Sequence, residues 1–428
     1  CCHIFTGMIK DPCLKLQGAG FMKPVKSIHP TVSDSRPVKP VLIYFCKFGT
    51  APILIRSFIM LVDGKHYHSI WLDETDKLVV KVIDQRKLPF FFEIKDLRSV
   101  NDVYTAIKEM VVRGAPLIGA AGAFGIYLAT LEDKPAADMH RHLRQSANLL
   151  ISSRPTAVNL PLVIDSVLER LMKIAEVNAL KEAALDAALE TCRSEIERCR
   201  KIGVHGLEII KDISRRKNGG TVNILTHCNA GWLACVDIGT VTAPIYLAHE
   251  KGIPLHVWVD ETRPVNQGAR LTAWELGQQG IKYTLVPDNT GGHLMQHGMV
   301  DLVLTGSDRT TRKGDTANKI GTYLKALAAR DNDIPFYVAL PETSFDFSIS
   351  NGLAEIKIEK RDSGEVTHVA GLEGGEIKSV RICPEDACAE NWGFDVTPAR
   401  LVTGLITDRG ICGASEKDIR KLFPDKFR

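Results

Sequence analysis

Side chains that suit proton transfer on a negatively charged substrate gather in the segment LVLTGSDRTTRKGDTANKIGT, residues 302–322. Its first four residues are apolar and predict a buried strand, so Asp308 follows the carboxyl end of that strand, where open α/β sheets bind ligands. We expect a helix to begin at Asp315 or at the next residue, Thr316. The free N–H groups at the start of such a helix would attract an anion. The alternative is that these two residues are plain helix caps. Asn318 and Lys319 lie in the same stretch.

A second group with reactive potential is Cys228, which follows an apolar run at 222–225 and precedes a helical stretch. A helix N-terminus lowers the pKa of a nearby thiol, so a thiolate here could act as a base or a nucleophile. The alternative is a small buried hydrophobic side chain, which describes most free cysteines. The adjacent His227 should point the opposite way on the strand end, which argues against a Cys–His pair.

Two arginines stand in turns shaped by glycine or proline, Arg113 before Gly114 and Ala115, and Arg154 before Pro155. A guanidinium group binds phosphate through two parallel hydrogen bonds, so each arginine could hold a phosphate. The alternative for either one is an ordinary surface arginine in a loop.

Gln267 follows an acidic turn that contains Asp260 and Glu261, and a further helical pattern begins after it. Its amide could reach a sugar hydroxyl or could cap that helix. The two carboxylates could form a second acid–base pair or could hold Arg263 in a salt bridge. We rank this pair below Asp308.

The composition limits the class of protein. A chain of 428 residues exceeds what one core usually fills, which predicts two domains. A formal charge of +3 without arginine runs gives no support to nucleic-acid binding. Eleven cysteines without regular spacing indicate a reducing compartment, so we expect a cytoplasmic protein. We expect no metal site, because there is no HExxH motif and Cys383 and Cys388 do not form a CxxC pair.

Residues 1–59 differ in kind from the rest. They hold eight Lys/Arg against two Asp/Glu, include four of the cysteines, and show no sustained helical or strand period. We interpret them as a poorly structured or non-native extension. The apolar run at 41–62 is interrupted by Lys47, Pro52 and Arg56, which argues against a membrane span. A transit peptide is a weaker alternative, because an amphipathic helix is not evident.

Periodicity divides the remaining chain into two predicted domains. Residues 60–215 begin with alternating segments around an Asp63-Gly64 turn, which predict a small antiparallel sheet, and continue with helical patterns at 99–112, 119–128, 139–150, 161–177 and 180–201. Residues 216–428 alternate helical patterns with apolar runs at 222–225, 255–259, 283–286, 302–305 and 336–339. We therefore expect an α/β protein with a mostly helical N-terminal domain and a Rossmann-like parallel-sheet domain.

The first strand of the predicted parallel sheet does not lead into a nucleotide-binding turn. The sequence after it, HCNAG, lacks the GxGxxG pattern that lets a backbone approach a pyrophosphate, and the chain has no GxxxxGK[ST] motif. A nicotinamide cofactor is therefore not expected.

Taken in order, these segments resemble the methylthioribose-1-phosphate isomerase family, the aldose–ketose isomerases of methionine salvage. The resemblance extends from about residue 60 to 427. It rests on the motifs VVRGAPLIGAAGAFG (111–125), SSRPTAVNL (152–160), THCNAG (226–231), DETRPVNQGARLTAWEL (260–276), GSDRTTRKGDTANKIGT (306–322), PFYVALPETSFD (335–346) and WGFDVTPARLVTGLITDRG (392–410).

The resemblance implies a site between a helical and a Rossmann-like domain, a homodimer, no membrane or nucleic-acid partner, and no metal or organic cofactor. It implies that Cys228 and Asp308 are the catalytic pair. It also places substrate-binding residues at Arg113, Gly114, Ala115, Arg154, Gln267, Asn318 and Lys319.

The implied substrate is a small sugar phosphate, 5-methylthioribose-1-phosphate, and the implied product is 5-methylthioribulose-1-phosphate. An aldose with phosphate on its anomeric carbon cannot open freely, so the enzyme must promote ring opening and then move hydrogen from C2 to C1. We expect a protonated Asp308 to donate to the ring oxygen, since burial raises the pKa of a carboxyl group. Cys228 would take the C2 proton or stabilise the developing charge; if a hydride migrates, Cys228 only stabilises.

Two alternative functions stay open. Regulatory subunits of the translation-initiation guanine-nucleotide exchange factor share this architecture but generally lack the catalytic pair, and they act as assembly modules. The other alternative is an isomerase of a related aldose 1-phosphate, either 5-deoxyribose-1-phosphate or ribose-1,5-bisphosphate. Arg312 and Lys313 would suit the second phosphate of the bisphosphate.

Overall fold

The computed structural model describes residues 60–154 and 158–427. The predicted extension at 1–59 lies outside the described residues. The described residues belong to a single compact unit, and the proposed domain boundary at 215 stays a prediction.

Short antiparallel strands open the described chain, as the alternating segments predict. Strands β1 (Leu61–Val62) and β2 (Lys65–His66) pair around Asp63 and Gly64, which both have left-handed φ angles, of 49° and 77°. Positive φ at both central residues is the requirement of a type I′ hairpin turn. Three further strands form an antiparallel sheet in chain order: β3 (Ile70–Leu72), β4 (Val80–Ile83) and β5 (Ile94–Leu97).

Five helices follow, close to the predicted positions: α1 (Val100–Lys108), α2 (Ala115–Leu131), α3 (Ala136–Ser152), α4 (Asn159–Leu171) and α5 (Val177–Arg216). Helix α2 is apolar around its whole circumference, and all of its residues from Pro116 to Thr130 are buried, so it is a core helix. Helix α5 has 40 residues and packs against α2 on one side and against a helix of the second half on the other. Within 60–154 and 158–427, no helix has the length and apolar character needed to cross a membrane.

The second half contains all five predicted strands together with further short elements. In chain order it comprises β6 (Val222–Thr226), α6 (Thr242–Glu250), β7 (Leu255–Asp260), α7 (Ala273–Gln278), β8 (Tyr283–Val286), α8 (Thr290–Gln296), β9 (Leu302–Thr305), β10 (Arg309–Thr311), β11 (Thr316–Lys319), α9 (Thr322–Asp331), β12 (Phe336–Ala339), β13 (Phe345–Asp346), α10 (Gly352–Glu355), α11 (Gly364–Thr367), β14 (His368–Glu373), β15 (Glu376–Arg381), β16 (Phe394–Thr397), β17 (Gly404–Thr407), β18 (Gly410–Cys412) and α12 (Glu416–Leu422).

The large sheet has the strand order β18-β17-β12-β9-β6-β7-β8, and all of its neighbours are parallel except β17 and β18. Counted along the chain, its six parallel strands have the Rossmann order 3-2-1-4-5-6. The order reverses between β6 and β9, where Ile224 lies opposite Leu302. A crevice at the carboxyl ends of two such strands is where open α/β sheets bind ligands. The predicted α/β class and Rossmann-like sheet are therefore confirmed.

The helix predicted to begin at Asp315 or Thr316 is absent, and that prediction is wrong. Residues 316–319 form β11, which pairs with β10 and β16 in a sheet of order β13-β10-β11-β16. The Asp315 carboxylate does not begin a helix of its own segment. It accepts hydrogen bonds of 2.9 Å from the backbone N–H groups of Gly352 and Ala399, the first residues of α10 and of a 3-10 turn far along the chain. The next helix, α9, begins at Thr322.

Candidate active site

One cavity is lined by every residue that the sequence predicts for the site. It measures about 820 Å³, including the part that is open to solvent. The catalytic candidates come from the two strands of the switch point, since Cys228 follows β6 and Asp308 follows β9. The other predicted residues on its wall are Arg113, Gly114, Ala115, Arg154, Gln267, Asn318 and Lys319.

Cys228 has a left-handed backbone, with a φ angle of 68°. This conformation costs a residue other than glycine roughly 1–2 kcal/mol. Side-chain hydroxyls stabilise the turn on both sides: the Cys228 N–H donates to Thr262 Oγ1 at 2.9 Å, and the Cys228 carbonyl accepts from Thr272 Oγ1 at 2.7 Å. The strain is thus held at a point where β6 ends against the cavity, as is common at functional sites.

The Cys228 thiol does not have the lowered pKa that the sequence suggested. Burial raises its pKa and outweighs the opposing effects of Arg113 and Lys319. The expected helix is a single 3-10 turn at Trp232–Ala234, and helix α6 begins only at Thr242. Burial therefore favours the protonated form of the Cys228 thiol.

Asp308 and Lys319 also have shifted pKa values that favour their neutral forms. Burial raises the pKa of Asp308, although Lys319, Arg113 and Arg154 act in the opposite direction. Burial lowers the pKa of Lys319, and Cys228 and Asp308 partly offset that shift. The Lys319 ammonium lies 4.7 Å from the centre of the Phe394 ring. Three groups that exchange protons thus share one cavity and influence each other's charge.

Arg113 is held across the cavity wall by Asn229, through two hydrogen bonds of 2.7 and 2.6 Å. It precedes Gly114, the N-cap of α2, whose φ angle is 97°. A Cβ atom on Gly114 would lie 2.4 Å from the carbonyl oxygen of Ala234, so only glycine fits there. The start of α2, including Ala115, therefore lines the cavity, and the first N–H groups of a helix have no partner within the helix itself.

Two predicted ligand-binding side chains have buried polar atoms without a hydrogen-bond partner in the part of the chain that the structure describes, Arg154 Nε and Gln267 Oε1. The Arg154 guanidinium lies 3.7 Å from Glu359, and burial lowers its pKa. Gln267 makes no capping hydrogen bond, so the alternative that it caps a helix is wrong. Buried polar atoms normally have partners, so both atoms are suited to a polar ligand.

The acidic residues at the end of β7 form neither an acid–base pair in the cavity nor a salt bridge between Asp260 and Arg263. Asp260 is fully buried and pairs with His227 Nδ1 at 2.8 Å and with Lys325 Nζ at 3.0 Å. His227 Nε2 donates to the carbonyl of Ile320 at 2.8 Å, so both ring nitrogens are bonded away from Cys228. Arg263 donates to backbone carbonyls rather than to Asp260. The expectation of no Cys–His pair is confirmed, and the Asp260–Arg263 salt bridge is not formed.

Sequence reasoning missed two further contributors to the site. Arg361 lines the cavity and pairs with Glu359 and Glu365, but its segment shows no period that would mark it. Glu275 is fully buried and accepts a 2.9 Å hydrogen bond from Asn229, so it supports Arg113 from behind. Burial raises the pKa of Glu275 to about 7.

Comparison with known proteins agrees with this fold and this site. Residues 111–414 match the model of the Initiation factor 2 subunit family, which covers more than two thirds of the chain. A methylthioribose-1-phosphate isomerase from Desulfatibacillum aliphaticivorans is 56% identical over 369 residues, which are 86% of this chain and 100% of that protein. The chain therefore belongs to the methylthioribose-1-phosphate isomerases within the Initiation factor 2 subunit family.

Two solved structures share the fold over most of their length. The crystal structure of 5-methylthioribose 1-phosphate isomerase from Pyrococcus horikoshii OT3 is 36% identical, with a TM-score of 0.74, and the match covers 84% of this chain and 97% of that one. The crystal structure of the translation initiation factor eIF-2B, subunit delta, from A. fulgidus is 39% identical, with a TM-score of 0.70, over 84% of this chain and 99% of that one. The structural neighbours thus include both classes considered from the sequence, an isomerase and a translation-initiation factor subunit.

Proposed function

We propose that this chain isomerises 5-methylthioribose-1-phosphate to 5-methylthioribulose-1-phosphate in methionine salvage. The observation that carries the proposal is the convergence of Cys228 and Asp308 at the switch point of the sheet, in a cavity lined by three arginines and Lys319. Relatives with the isomerase name support it, since they are 51–56% identical and match over 97–100% of their own length.

Asp308 is the general acid of this proposal. Its raised pKa keeps a larger fraction of the carboxyl protonated near neutral pH than in water, and a protonated carboxyl can donate to the ring oxygen of the sugar. Donation neutralises the developing alkoxide as the C1–O bond of the ring breaks. The product of this step is an open-chain oxocarbenium ion, in which C1 is doubly bonded to the oxygen that carries the phosphate.

Cys228 acts on the open chain. If it removes the C2 proton, it must first lose its own, and Lys319, whose pKa is lowered, is the neighbouring group that could accept that proton. The C2 proton then returns at C1 of the resulting enol phosphate, the C2 hydroxyl gives its proton to the Asp308 carboxylate, and a ketose 1-phosphate results. If a hydride moves directly from C2 to C1 instead, Cys228 only stabilises the charge on the two oxygens.

The remaining groups divide between the phosphate and the sugar. Arg113, Arg154 and the backbone at the start of α2, at Gly114 and Ala115, are suited to the phosphate, since guanidinium groups and helix N-termini both bind anions. The amides of Gln267 and Asn318 then bind sugar hydroxyls. The buried, unbonded Gln267 Oε1 supports this assignment.

No observation favours either alternative over the isomerase. A regulatory exchange-factor role needs neither Cys228 nor Asp308, whereas both line the cavity here. For ribose-1,5-bisphosphate, Arg312 was the expected second phosphate ligand, but its guanidinium lies 3.3 Å from Glu416 and neither Arg312 nor Lys313 lines the cavity.

The decisive experiment incubates the protein with methylthioribose-1-phosphate, 5-deoxyribose-1-phosphate and ribose-1,5-bisphosphate separately and follows ketose formation by NMR. We expect turnover of the first with the highest kcat/KM. Absence of turnover with all three would contradict the proposal. The same reaction in D2O separates the two routes, since proton transfer incorporates deuterium at C1 and hydride transfer does not.

Several finer properties stay predictions. We propose a homodimer, a cytoplasmic location, a reaction without metal or organic cofactor, and a boundary near residue 215 between two domains. Light scattering on the full chain would test the dimer, retention of activity after extensive EDTA treatment would test the prediction of a metal-free reaction, and an absorption spectrum of the purified protein would test the absence of a chromophoric organic cofactor.

A further inference from the structure

A compact group of metal-ligating side chains lies outside the active site, formed by His66, His68 and Asp237. The two histidines are two residues apart, at and just beyond β2, and alternate residues of an extended chain share one face. Their rings meet edge to face with centroids 4.7 Å apart. The backbone N–H of Ser69 donates to the Val236 carbonyl at 3.0 Å, which holds this segment against Asp237.

His66 forms a long hydrogen bond with Asp237, and the distances between the three groups also fit a shared ion. Both Nε2 atoms face the same carboxylate oxygen, Asp237 Oδ2, at 3.3 Å from His66 and 3.5 Å from His68. Hydrogen bonds between nitrogen and oxygen are usually 2.7–3.2 Å long. Two ligand atoms bound to a tetrahedral Zn²⁺ at about 2.0–2.1 Å stand about 3.3 Å apart.

We propose that His66, His68 and Asp237 form a site for a divalent first-row transition metal ion, with Zn²⁺ as its most suitable probe. Imidazole nitrogen and carboxylate oxygen are ligands that this class of ion accepts, and three protein ligands leave one position for water. The imidazoles are about one third exposed, so an ion can enter from solvent, whereas the carboxylate is buried. Asp237 Oδ1 accepts a 2.9 Å hydrogen bond from the Ile238 N–H, which fixes the orientation of the carboxylate.

A second cluster of potential metal ligands in the described chain already contains a lysine. His227, Asp260 and Asp288 also lie close together, but the Lys325 ammonium already occupies that group, 3.0 Å from Asp260. A lysine in this position supplies the positive charge that an ion would bring. The cluster at His66 contains no such cation among its ion pairs within the described ranges.

The ion would join two segments that are distant in sequence. It would connect the β1–β2 hairpin to the loop around Asp237, and both Cys235 and Thr240 of that loop line the active-site cavity. The ion would lie outside the active-site cavity, and its occupancy would stabilise one wall of that cavity. This inference does not depend on the proposed isomerase activity.

Calorimetry tests the site on the full chain without a histidine tag, stripped of metal with EDTA and titrated with ZnSO4 under reducing conditions. Cysteines elsewhere can also bind Zn²⁺, so the readout is a difference between variants. We expect His66→Gln, His68→Gln and Asp237→Asn each to bind one equivalent fewer than the parent, because an amide can keep a hydrogen bond but is a poor metal ligand. We also expect Zn²⁺ to raise the unfolding temperature of the parent more than that of each variant.

The matched control is the exposed pair His293, on α8, and His297, the residue that follows α8, with ring centroids 4.2 Å apart. Changing both to glutamine should leave the binding difference intact. Crystals of the parent soaked in Zn²⁺ should show an anomalous peak about 2.0–2.2 Å from both Nε2 atoms and Asp237 Oδ2. Equal stoichiometry in parent and His66→Gln, or a peak only at the control pair, would overturn the site even if one variant failed to fold.

Discussion

The Arg113 guanidinium donates one hydrogen bond to Asn229 Oδ1, at 2.7 Å, and another to the Asn229 carbonyl, at 2.6 Å. The Asn229 amide in turn donates to Glu275 Oε1 at 2.9 Å and to Thr272 Oγ1 at 3.2 Å. A buried carboxylate thus fixes an amide, and the amide fixes the arginine that faces the cavity. The arginine is oriented before any substrate arrives, which reduces the entropy lost on binding.

Asn229→Ala should therefore raise KM and leave kcat nearly unchanged. The substitution removes the Oδ1 acceptor but keeps the backbone carbonyl, so Arg113 loses one of its two hydrogen bonds. A hydrogen bond to a charged group contributes about 1.5–3 kcal/mol, which corresponds to a KM increase of about 10- to 100-fold. Steady-state kinetics with methylthioribose-1-phosphate measure both constants.

Asn332→Ala is the matched control, because it deletes a single side-chain hydrogen bond, to the Ala328 carbonyl at the end of α9, away from the cavity. It should change neither constant by more than about twofold. An unchanged KM in Asn229→Ala would show that the orientation of Arg113 does not limit substrate binding.

Glu275 predicts a measurable pH dependence of stability. Its folded pKa is about 7, against 4.5 for the ordinary side chain. Between these two pH values the unfolded chain releases the proton while the folded chain retains it, so the free energy of unfolding falls as pH rises from 4.5 to 7 and then levels off. A shift of this size corresponds to about 3 kcal/mol.

In Glu275→Gln the contribution of this group to the pH dependence should vanish. Urea denaturation at pH 5 and pH 8 gives the drop in stability for parent and variant, and the drop should be about 2–3 kcal/mol smaller in the variant. Glu250→Gln removes the same charge from an exposed position at the end of α6 and should keep the parent's drop. Identical pH profiles for parent and Glu275→Gln would refute the assignment.

Asp308→Asn should lower kcat by about 10²- to 10⁴-fold, the usual contribution of a general acid, with a small change in KM. The amide fills the same space but cannot give up a proton to the ring oxygen. Because burial raises the pKa of Asp308, the parent's kcat/KM should also fall as pH rises through that pKa, as the protonated form disappears.

The control for Asp308 is Asp133→Asn, an equal change at an exposed position beyond α2. It should keep parental kinetics. If Asp308→Asn retained kcat within a factor of about ten, another group would have to be the acid.

Much of the fold could be predicted from the sequence, because periodicity and strand alternation report local burial. The C-terminal end of α5 could not be predicted in this way. The pattern after residue 201 contains Gly203 and Gly206, which usually weaken a helix. In the structure a Cβ at Gly203 would lie 2.8 Å from Ala243, and one at Gly206 would lie 2.8 Å from Pro244, so both glycines permit α5 to pack closely on α6. Tertiary packing there outweighs helix propensity.

Strand β11 was misassigned for a related reason. One partner, β16, lies about 80 residues further along the chain, with Thr316 opposite Thr397. The other partner, β10, is a short polar strand just before Asp315, so it lacks the apolar alternation that predicts a hairpin. The sequence shows a polar segment that is typical of a helix cap, but it does not show that this segment pairs with β16.

In the site, Cys228 and Asp308 could be predicted because each follows an apolar strand. Residues that follow neighbouring parallel strands meet at one edge of a sheet. Glu275 could not be predicted as a site residue, because a glutamate in an amphipathic helical pattern normally faces water. Its burial depends on Asn229 and on the N–H groups of Trp232 and Leu233, which lie more than 40 residues away. Supporting residues of this kind leave no local signal in a single sequence.

Gly114→Ala should destabilise the protein and abolish most activity, since it combines two effects. The positive φ angle of 97° costs an alanine roughly 1–2 kcal/mol. The new Cβ would also lie 2.4 Å from the Ala234 carbonyl oxygen and 2.6 Å from its Cα, and because these are backbone atoms, the turn before α2 must shift. Such overpacking typically adds 1–3 kcal/mol and would displace Arg113 from Asn229.

Gly252→Ala separates the two effects, because Gly252 has a φ angle of 72° but nothing within 4 Å of its Cβ position. Urea denaturation should show only the cost of the backbone conformation in Gly252→Ala, with parental kcat and KM, and a larger loss of stability in Gly114→Ala. Equal losses in the two variants, with activity preserved in both, would mean that the contact between Gly114 and Ala234 does not position the start of α2.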